Sequence, residues 1–321
     1  MYSNPRVLVA GSGAIGSVFG CLLREAGHTV ALLGRQSHLM AIRARGLKLD
    51  GIWGEHYARG FELATQATDL SGTYDLALIS VKAYDTEAMA REISAVVDRD
   101  GLVISLQNGL GNIEILAEIF GAERSLGANV LVGAMIAEAG RVTVTVQAAP
   151  IIIGPLEISD CVTLERIHYW ISAFKRANIP CEATVRILSY LWAKIFYNAP
   201  LNALGALLQV HYGVLGEAPE LREIMDRIID EAFLVADRKD VELLWSTVQD
   251  YRALFYTHLV PSTYNHQSSM LQDLQHGRRT EISVINGAIW RYGQQLGIPT
   301  PGNEVMTRLI WARERKCKDI N

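Results

Sequence analysis

One lysine in this chain occupies an apolar setting in which it could take part in chemistry. Lys194 is the only formally charged side chain between Arg186 and Glu217, and the helical stretch around it reads LWAKIFYNAPLNALGALL. Burial lowers the pKa of an ammonium group, which brings a lysine toward the range useful for donating a proton to a carbonyl oxygen as hydride arrives. The alternative is a structural lysine whose stem packs among apolar side chains while its amine reaches water.

Two asparagines follow Lys194 at helical spacing. Asn198 and Asn202 come four and eight residues after it, so a helix places the three side chains on one gradually drifting face. Amides on that face could hold the hydroxyl or keto oxygens of a substrate, or they could cap helix ends near Pro200. Because Pro200 cannot donate a hydrogen bond to the carbonyl of Phe196, we expect the helix to kink or break between the asparagines.

A glycine-rich turn near the start of the chain has the pattern of a phosphate-binding loop. It follows the apolar run VLVA, precedes a helical stretch, and consists of Gly11, Ser12, Gly13, Ala14, Ile15 and Gly16. Glycines allow a tight turn and close approach of a pyrophosphate, and the N–H groups at a helix start favour negative charge. The segment predicts that these residues bind a dinucleotide, with a tight turn that binds nothing as the alternative.

The end of the second predicted strand indicates which dinucleotide this turn would hold. NAD-selective sites place an acidic residue about 20 residues beyond the glycines, where it accepts a hydrogen bond from the ribose 2′-hydroxyl. Here Gly34 is followed by Arg35, which comes 19 residues after Gly16. A guanidinium can bind a 2′-phosphate through charge-assisted hydrogen bonds, so we predict NADP(H) as the cofactor. The alternative is that Arg35 is a solvated loop arginine.

Two further polar residues follow predicted strands of the same sheet. Lys82 comes after DLALISV, and Asn108 comes shortly after LVISL. The carboxyl ends of parallel strands are where open α/β sheets bind ligands, so we expect both residues to reach the nicotinamide ribose or the substrate. Taken singly, Lys82 could be a surface charge and Asn108 the turn residue of an Asn-Gly pair.

The first half of the chain contains the strands that must position these groups. An apolar strand from Arg6, a helix over Ala14 to Ala26 and a strand over Thr29 to Leu33 form a βαβ unit. Further buried strands, predicted over Asp75 to Val81 and Leu102 to Leu106, flank a helix over about Asp85 to Val97, and this alternation indicates a parallel sheet. Residues 125–155 alternate β-branched and polar types, which favours antiparallel strands, and a last short strand is predicted over Pro180 to Ala183.

After about Val185 the strand signals nearly vanish. Helices are predicted over Leu188 to Leu208, Glu220 to Arg238, Ser246 to His258, Glu281 to Leu296 and Glu304 to Arg315. The predicted fold class is therefore α/β, with an N-terminal Rossmann-type dinucleotide-binding domain over residues 1–184. A C-terminal all-helical domain over residues 185–321 would carry the substrate and catalytic groups.

Composition and charge exclude several classes of protein. The chain has 321 residues, 50% of them hydrophobic, and a formal net charge of −4, so no basic field favours nucleic acid or an anionic membrane. Cys21, Cys161, Cys181 and Cys317 lack metal-like or CxxC spacing, and the start lacks a secretory signal, which favours a cytoplasmic location and no metal site. The most apolar stretch, Ile195 to Val210, contains asparagines, a proline and a glycine and is predicted to be a buried helix. The sequence leaves the oligomeric state open, a homodimer included.

Six segments, taken in order, resemble the ketopantoate reductase (2-dehydropantoate 2-reductase) family along nearly the whole chain. They are GSGAIG from Gly11, LLGR ending at Arg35, SVKAYDT around Lys82, LQNGLGN around Asn108, LWAKIFYNAPLN around Lys194, and SSMLQDLQHGRRTEISVINGAI from Ser268. The resemblance implies NADPH-dependent reduction of 2-dehydropantoate to pantoate, a step of pantothenate biosynthesis, with a small 2-oxo acid as the partner molecule.

The resemblance also implies roles for particular residues. Substrate contacts would come from Asn108, Lys194, Asn198, Asn202, Ser268 and Ser269. Within this set Lys194 would be the proton donor, Asn108 would also contact the cofactor, and Ser269 would bind the substrate carboxylate. Glu281 would meet the cofactor and help to set the protonation of Lys194, although it also fits a carboxylate at the start of a helix.

The chain departs from the family pattern at two places that concern the substrate. His266 and Gln267 precede the serine pair, and Tyr212 stands before Gly213 where family members often carry a substrate-binding asparagine. The substrate is therefore less well defined than the reaction, and another branched or bulky 2-oxo acid is an alternative. A protein that binds NADPH and acts as a sensor without turnover is the alternative from a different class.

Overall fold

The computed structural model describes residues 5–156 and 161–318. The chain divides into two compact units, one formed by Met1–Gln107 and Asn112–Ile187 and the other by Asn108–Gly111 and Leu188–Asn321. The main boundary between the units, after Ile187, lies three residues beyond the boundary after residue 184 that is expected from the sequence. The short segment Asn108–Gly111 groups with the second unit, although it follows a strand of the first.

Strands dominate the first unit. They are β1 Arg6–Ala10, β2 Thr29–Leu33, β3 Leu47–Gly51, β4 His56–Ala58, β5 Glu62–Ala64, β6 Tyr74–Ile79, β7 Val97–Ser105, β8 Ser125–Asn129, β9 Val132–Glu138, β10 Arg141–Gln147, β11 Ile151–Pro155 and β12 Cys181–Ala183. The α-helices described there are α1 Ala14–Glu25, α2 Gln36–Arg45, α3 Thr86–Ile93, α4 Asn112–Phe120 and α5 Cys161–Arg176.

The main sheet has the strand order of a dinucleotide-binding fold. Its eight strands lie in the order β12-β11-β8-β7-β6-β1-β2-β5. The run from β8 to β5 is parallel throughout, whereas β11 is antiparallel to β8. The chain order reverses between β1 and β6, and this is the point at which open α/β sheets bind ligands. The predicted Rossmann-type fold is confirmed.

Alternating side chains of the central strand pack on both faces of this sheet. In β1, Val7 and Val9 belong to one buried apolar cluster, and Leu8 and Ala10 belong to another. A run that is apolar at every position must be covered on both faces, which explains why β1 is apolar without interruption from Val7 to Ala10. The end of β1 is therefore held rigidly where the glycine turn begins.

The region of alternating β-branched residues forms two different sheets. The hairpin of β9 and β10 is antiparallel, as predicted, but β10 also pairs in parallel with β3 in a separate four-stranded sheet of order β4-β3-β10-β9. The prediction that this whole region is antiparallel is wrong for β8, which joins β7 in parallel. The sequence did not predict β3, which contains a lysine, an aspartate and a glycine, or β4, which is only three residues long.

The second unit is helical in its described residues. Its α-helices are α6 Ile187–Leu208, which begins one residue before the boundary between the units, α7 Tyr212–Glu217, α8 Pro219–Arg238, α9 Val248–Leu254, α10 Val260–Ser262, α11 Ser269–Gln275, α12 Asn286–Leu296 and α13 Pro301–Lys318. A π-helical turn, Phe255–Leu259, joins α9 to α10. The predicted all-helical character of this half is confirmed for the described residues.

Aromatic packing and a buried carboxylate hold these helices together. Phe196 of α6 stacks on Phe233 of α8 with 4.0 Å between the ring centroids. Glu231, also on α8, accepts hydrogen bonds from the backbone N–H groups of Gly302 and Asn303 in the first turn of α13. These are donors that a helix cannot satisfy internally, so the carboxylate ties the start of α13 to α8.

Helix α6 passes through Pro200 as one element. It runs over Ile187–Leu208 with the proline inside it, so the helix does not break between Asn198 and Asn202, and the other predicted outcome, a kink at this point, stays a prediction. A proline removes one backbone donor and crowds the preceding turn, but the hydrogen bonds on either side remain. The surrounding side chains are largely buried, and packing of this kind can outweigh the loss of one helical bond.

The helix expected to begin at Glu281 begins later. Glu281 precedes a 3₁₀ turn, Ile282–Val284, and α12 begins at Asn286 after a break at Ile285, whose φ and ψ are −104° and −100°. The prediction of a continuous helix from Glu281 is therefore wrong. Three of the four residues from Ile282 to Ile285 are β-branched, a residue type that favours helix less than straight-chain side chains do.

The described residues contain neither a candidate membrane span nor a candidate metal cluster. None of the described helices is both long and apolar enough to cross a membrane. No group of three or more histidine, cysteine, aspartate or glutamate side chains within 5–156 and 161–318 could hold a metal ion.

The glycine turn after β1 yields a stability prediction. A Cβ at Gly16 would overlap the carbonyl oxygen of Gly11 and lie 2.9 Å from Val9 Cγ1, whereas a Cβ at Gly13 would be 3.8 Å from its nearest neighbour, the Ser80 carbonyl oxygen. Gly16→Ala should therefore lower the free energy of unfolding by about 1–3 kcal/mol through overpacking. Gly13→Ala is the matched control and should change it by less than about 0.5 kcal/mol. Urea unfolding measures both, and equal effects would contradict this account of the turn.

Candidate active site

The glycine turn lies between β1 and α1, at the reversal point of the main sheet. Gly11 has a φ of +108°, and its added Cβ would be 2.6 Å from the Val81 backbone nitrogen. The N–H groups of Gly11 and Ser12 both donate to the Leu33 carbonyl oxygen, at 3.0 and 2.9 Å. Only glycine fits the first position, because its conformation and its close neighbour both exclude a side chain.

The same turn has the features that a pyrophosphate requires. The space beside Gly13 is left open by the protein itself, and no side chain caps the start of α1. Ser12 is buried, and its hydroxyl oxygen has no hydrogen-bond partner among the described residues. An unsatisfied buried hydroxyl beside uncapped N–H groups is suited to an anionic ligand. The residues present therefore fit a dinucleotide.

The other predicted cofactor residues of the first unit lie at strand ends. Arg35 is the residue before α2 and is exposed. Its guanidinium forms no ion pair with the residues that the structure describes. Lys82 is half-buried and follows β6 by three residues. Ala14 and Ile15 are the first two residues of α1.

In the second unit, three predicted site residues form one hydrogen-bonded set. Lys194 Nζ donates to Asn108 Oδ1 at 2.8 Å, and Asn108 Nδ2 donates to Glu281 Oε2 at 3.2 Å. A lysine can only donate and a carboxylate can only accept, so these partners determine which way the Asn108 amide faces. The sequence separates these residues by as many as 173 positions. We call this set the lysine triad.

Burial changes the acidity of the lysine in this triad. Loss of hydration lowers the pKa of the Lys194 ammonium to about 8, and the Glu281 carboxylate opposes that shift. Lys194 is half-buried, and Glu281 is 9% exposed. The result is an ammonium that is protonated at neutral pH and is more acidic than an ordinary lysine.

The backbone around Asn108 explains why this turn contains two glycines. Gly109 and Gly111 have φ values of +91° and +95°, which glycine adopts at little cost. A Cβ at Gly109 would overlap the side chain of Val284, and the Leu110 N–H donates to the Val284 carbonyl oxygen at 2.9 Å. Close contact with the 3₁₀ turn after Glu281 thus brings Asn108 beside that carboxylate.

Glu281 is positioned by residues on both sides of it. The Thr280 N–H and hydroxyl both donate to Glu314 Oε1 of α13, at 2.8 and 2.6 Å. On the other side, Trp311 Nε1 donates to the Ser283 hydroxyl at 3.3 Å. Sequence reasoning missed Glu314, and a lone glutamate near the end of an exposed helical pattern gave no signal that could have identified it.

The two asparagines of α6 have different surroundings. Asn198 is half-buried one turn after Lys194. Asn202 is buried, and its Oδ1 accepts a hydrogen bond from the Tyr212 hydroxyl at 2.5 Å. The Tyr212 ring in turn packs against Tyr197 and His266, with centroids 5.9 and 5.1 Å apart. The carbonyl side of the Asn202 amide is thus already used within the protein.

The two adjacent serines differ in exposure to solvent. Ser268 is buried, and its hydroxyl accepts from the Leu271 N–H at the start of α11 and donates to the Asn202 carbonyl oxygen at 3.2 Å. Ser269 is exposed and is the first residue of α11. The Ser268 hydroxyl therefore caps α11 and joins it to α6, and the neighbouring Ser269 has the accessible hydroxyl.

Comparison with known proteins places nearly the whole chain in one family. Residues 7–157 match the family model described as "Ketopantoate reductase PanE/ApbA", and residues 186–314 match "Ketopantoate reductase PanE/ApbA C terminal". A protein of Aquifex aeolicus named 2-dehydropantoate 2-reductase is 36% identical over 309 residues, covering 96% of this chain and 97% of that protein.

Solved structures show the same relationship. A PanE/ApbA family ketopantoate reductase from Ralstonia eutropha has a TM-score of 0.85 at 31% identity, over 98% of this chain and 99% of that one. A ternary structure of D-mandelate dehydrogenase with NADH and anilino(oxo)acetate has a TM-score of 0.86 at 26% identity, with the same coverage. The predicted family and enzyme class are confirmed: the chain belongs to the ketopantoate reductase PanE/ApbA family of oxidoreductases.

Proposed function

We propose that this protein is an NADPH-dependent reductase that converts a 2-oxo acid to the 2-hydroxy acid, with 2-dehydropantoate as the first candidate substrate and pantoate as its product. The observation that carries the proposal is the lysine triad, in which a hydrogen-bonded ammonium has a pKa of about 8. The substrate is supported by relatives named 2-dehydropantoate 2-reductase. Pantoate would then serve pantothenate biosynthesis.

Lys194 supplies the proton in this reaction. The carbonyl oxygen of a 2-oxo acid gains negative charge as its carbon is reduced, and a nearby ammonium can neutralise that charge by transferring a proton. A lysine of ordinary pKa, about 10.4, would be a weaker acid at neutral pH. Burial of Lys194 therefore improves the match between the pKa of the donor and neutral pH.

Asn108 and Glu281 both act on the Lys194 ammonium. Asn108 Oδ1 accepts from the ammonium and so limits its orientation, while Glu281 favours the charged form of the lysine. Without that carboxylate, desolvation alone would lower the pKa of Lys194 further and deprotonate a larger fraction of it at neutral pH. Asn198, one turn along α6, and the exposed Ser269 are proposed to orient the substrate. Ser269 would do so by binding the substrate carboxylate.

The cofactor is proposed to bind the first unit. Gly11, Ser12, Gly13 and the start of α1, which includes Ala14, Ile15 and Gly16, would hold the pyrophosphate, and Lys82 would contact the nicotinamide ribose. When bound, the reduced dinucleotide supplies the hydride. Arg35 is exposed and has no acidic residue beside it in sequence, which favours a 2′-phosphate over a free 2′-hydroxyl.

A second candidate substrate is a 2-oxo acid with a bulkier apolar side chain. The observation that favours it is the engagement of Asn202 by Tyr212, which removes the acceptor side of one amide that could otherwise bind a substrate hydroxyl. The similarity to D-mandelate dehydrogenase with anilino(oxo)acetate agrees with such a substrate. Both candidates undergo the same reaction at the same lysine.

The first prediction from this proposed function concerns Lys194. Replacing it by alanine should lower kcat by about 100-fold or more and leave NADPH affinity little changed, because a general acid is removed. NADPH oxidation followed by absorbance with 2-dehydropantoate measures the change. Lys48→Ala, at an exposed position of β3, is the control. Undiminished turnover in Lys194→Ala would show that Lys194 is not the proton donor.

A panel of 2-oxo acids in the same assay separates the candidate functions. Highest kcat/KM for 2-dehydropantoate supports the first substrate, and highest kcat/KM for a bulky apolar 2-oxo acid supports the second. If NADPH binds but is not oxidised with any 2-oxo acid of the panel, the result contradicts the proposed enzymatic activity and favours a sensor.

The second prediction concerns the acidity of Lys194. Its ammonium should titrate with a pKa of about 8, and Glu281→Gln should lower that pKa, since the carboxylate favours the charged form. NMR titration of ¹³C-labelled lysine, assigned by comparison with Lys194→Met, measures both. Turnover of the unmodified enzyme should fall as pH rises above about 8, because the proton donor is lost. An ordinary lysine pKa near 10.4 would contradict the mechanism.

The third prediction concerns the cofactor. Arg35→Ala should weaken NADPH binding about tenfold or more and leave NADH binding nearly unchanged, because only NADPH carries the 2′-phosphate. Fluorescence titration of both dinucleotides gives the ratio of their dissociation constants. Arg43→Ala, at an exposed arginine of α2, the helix that Arg35 precedes, is the matched control. A tighter affinity for NADH in the unmodified protein would show that the cofactor is NAD.

A further inference from the structure

A buried histidine connects the glycine turn to helix α2. His38 is 6% exposed, its Nε2 is 3.1 Å from the Ser17 hydroxyl of α1, and its Nδ1 accepts from the Gly140 N–H at 3.2 Å. The Ser17 hydroxyl donates to the Ser12 carbonyl oxygen at 3.2 Å. The chain of bonds thus runs from the β9–β10 turn, through α2 and α1, to the glycine turn.

The directions of these bonds follow from their chemistry. A backbone N–H can only donate, so His38 Nδ1 carries no proton and the ring proton of the neutral form is on Nε2. Nε2–H then donates to Ser17, whose own proton goes to Ser12. Burial lowers the pKa of the His38 imidazole, which agrees with a neutral ring at neutral pH.

Besides His38, the first turn of α2 is held by Leu39, which packs in a buried apolar cluster. Of its ten residues, only His38, Leu39 and Ile42 are buried. A short helix with so few buried side chains gains little from packing and depends on specific contacts. Arg35 precedes this turn, and its carbonyl oxygen accepts from the N–H groups of His38 and Leu39. Whatever holds His38 therefore also holds the backbone of Arg35.

The glycine turn, in contrast, is held by several other bonds. The Gly11 and Ser12 N–H groups donate to Leu33, and the Ser80 hydroxyl donates to the Gly11 carbonyl oxygen at 2.6 Å. Loss of the histidine would leave these bonds in place. Its main effect should therefore fall on the start of α2 rather than on the turn.

We propose that His38 is a positioning residue for cofactor discrimination, which holds Arg35 in register with the glycine turn so that one dinucleotide can contact both. The inference rests on the proposed function, in which Arg35 binds the 2′-phosphate and the turn binds the pyrophosphate. His38 itself contacts no cofactor. Its contribution is selectivity for NADPH over NADH.

A double-mutant cycle on the full-length protein tests this role. Dissociation constants for NADPH and NADH are measured by fluorescence titration for His38→Leu, Arg35→Ala and the double variant. His38→Leu introduces an apolar side chain of similar size that cannot form either hydrogen bond. It should weaken NADPH binding about three- to tenfold and NADH binding by less than about twofold. The double variant should lose no more selectivity than Arg35→Ala, because His38 acts through Arg35.

Two further variants guard against a simple loss of folding. His38→Gln restores a donor toward Ser17 and should recover most of the selectivity for NADPH, a rescue that general destabilisation would not produce. Ser17→Ala removes the same link while retaining the histidine, and it should lower selectivity as His38→Leu does. It provides the test if His38→Leu does not fold. Thermal unfolding of each variant without cofactor confirms the native state.

The outcomes distinguish this inference from the proposed function. Selectivity that falls in Arg35→Ala but stays unchanged in the His38 and Ser17 variants overturns the inference alone. Equal weakening of NADPH and NADH binding by His38→Leu also overturns it. So does a double variant in which the losses of selectivity from the two single substitutions add in full. Selectivity that does not change in Arg35→Ala overturns the cofactor assignment and the inference together.

Discussion

The partly desolvated ammonium of Lys194 is the physical constraint around which this part of the second unit is arranged. A buried charge is costly unless hydrogen bonds and an opposite charge offset the lost hydration. Asn108 provides the hydrogen bond, and Glu281 provides the opposing charge that moderates the shift in the pKa of the lysine. The balance leaves a pKa of about 8, which suits a proton donor at neutral pH.

Much of the surrounding structure can be understood as support for that balance. Gly109 allows the Asn108 segment to pack against the 3₁₀ turn that follows Glu281. Glu314 fixes Thr280 immediately before Glu281. An unbroken α6 keeps Lys194 on a rigid element despite its proline. Pre-organised support of this kind spares the groups around a reacting atom from rearranging during the reaction.

The first unit solves a different physical problem, which is to leave space for an anion without a side chain in the way. Gly11 and Gly16 are required by the protein's own packing, because a Cβ at either would overlap backbone or neighbouring atoms. Gly13 has no such restriction, and the buried Ser12 hydroxyl has no partner among the described residues. These differences separate the glycines that build the turn from the one that leaves room for a ligand.

The sequence by itself determined the fold class, the glycine turn and the identity of the unusual lysine, because each depends on local pattern. Apolar runs predict buried strands, and a single charge in a long apolar helix stands out without any coordinates. Tertiary structure decided what the pattern could not: the pairing of β10 with β3, the continuity of α6 through Pro200, and the late start of α12. It also decided that Asn202 faces Tyr212 and that Asn108 joins Lys194 to Glu281. Such contacts join residues far apart in the chain, and their energies come from packing and hydrogen bonds that no short window of sequence contains.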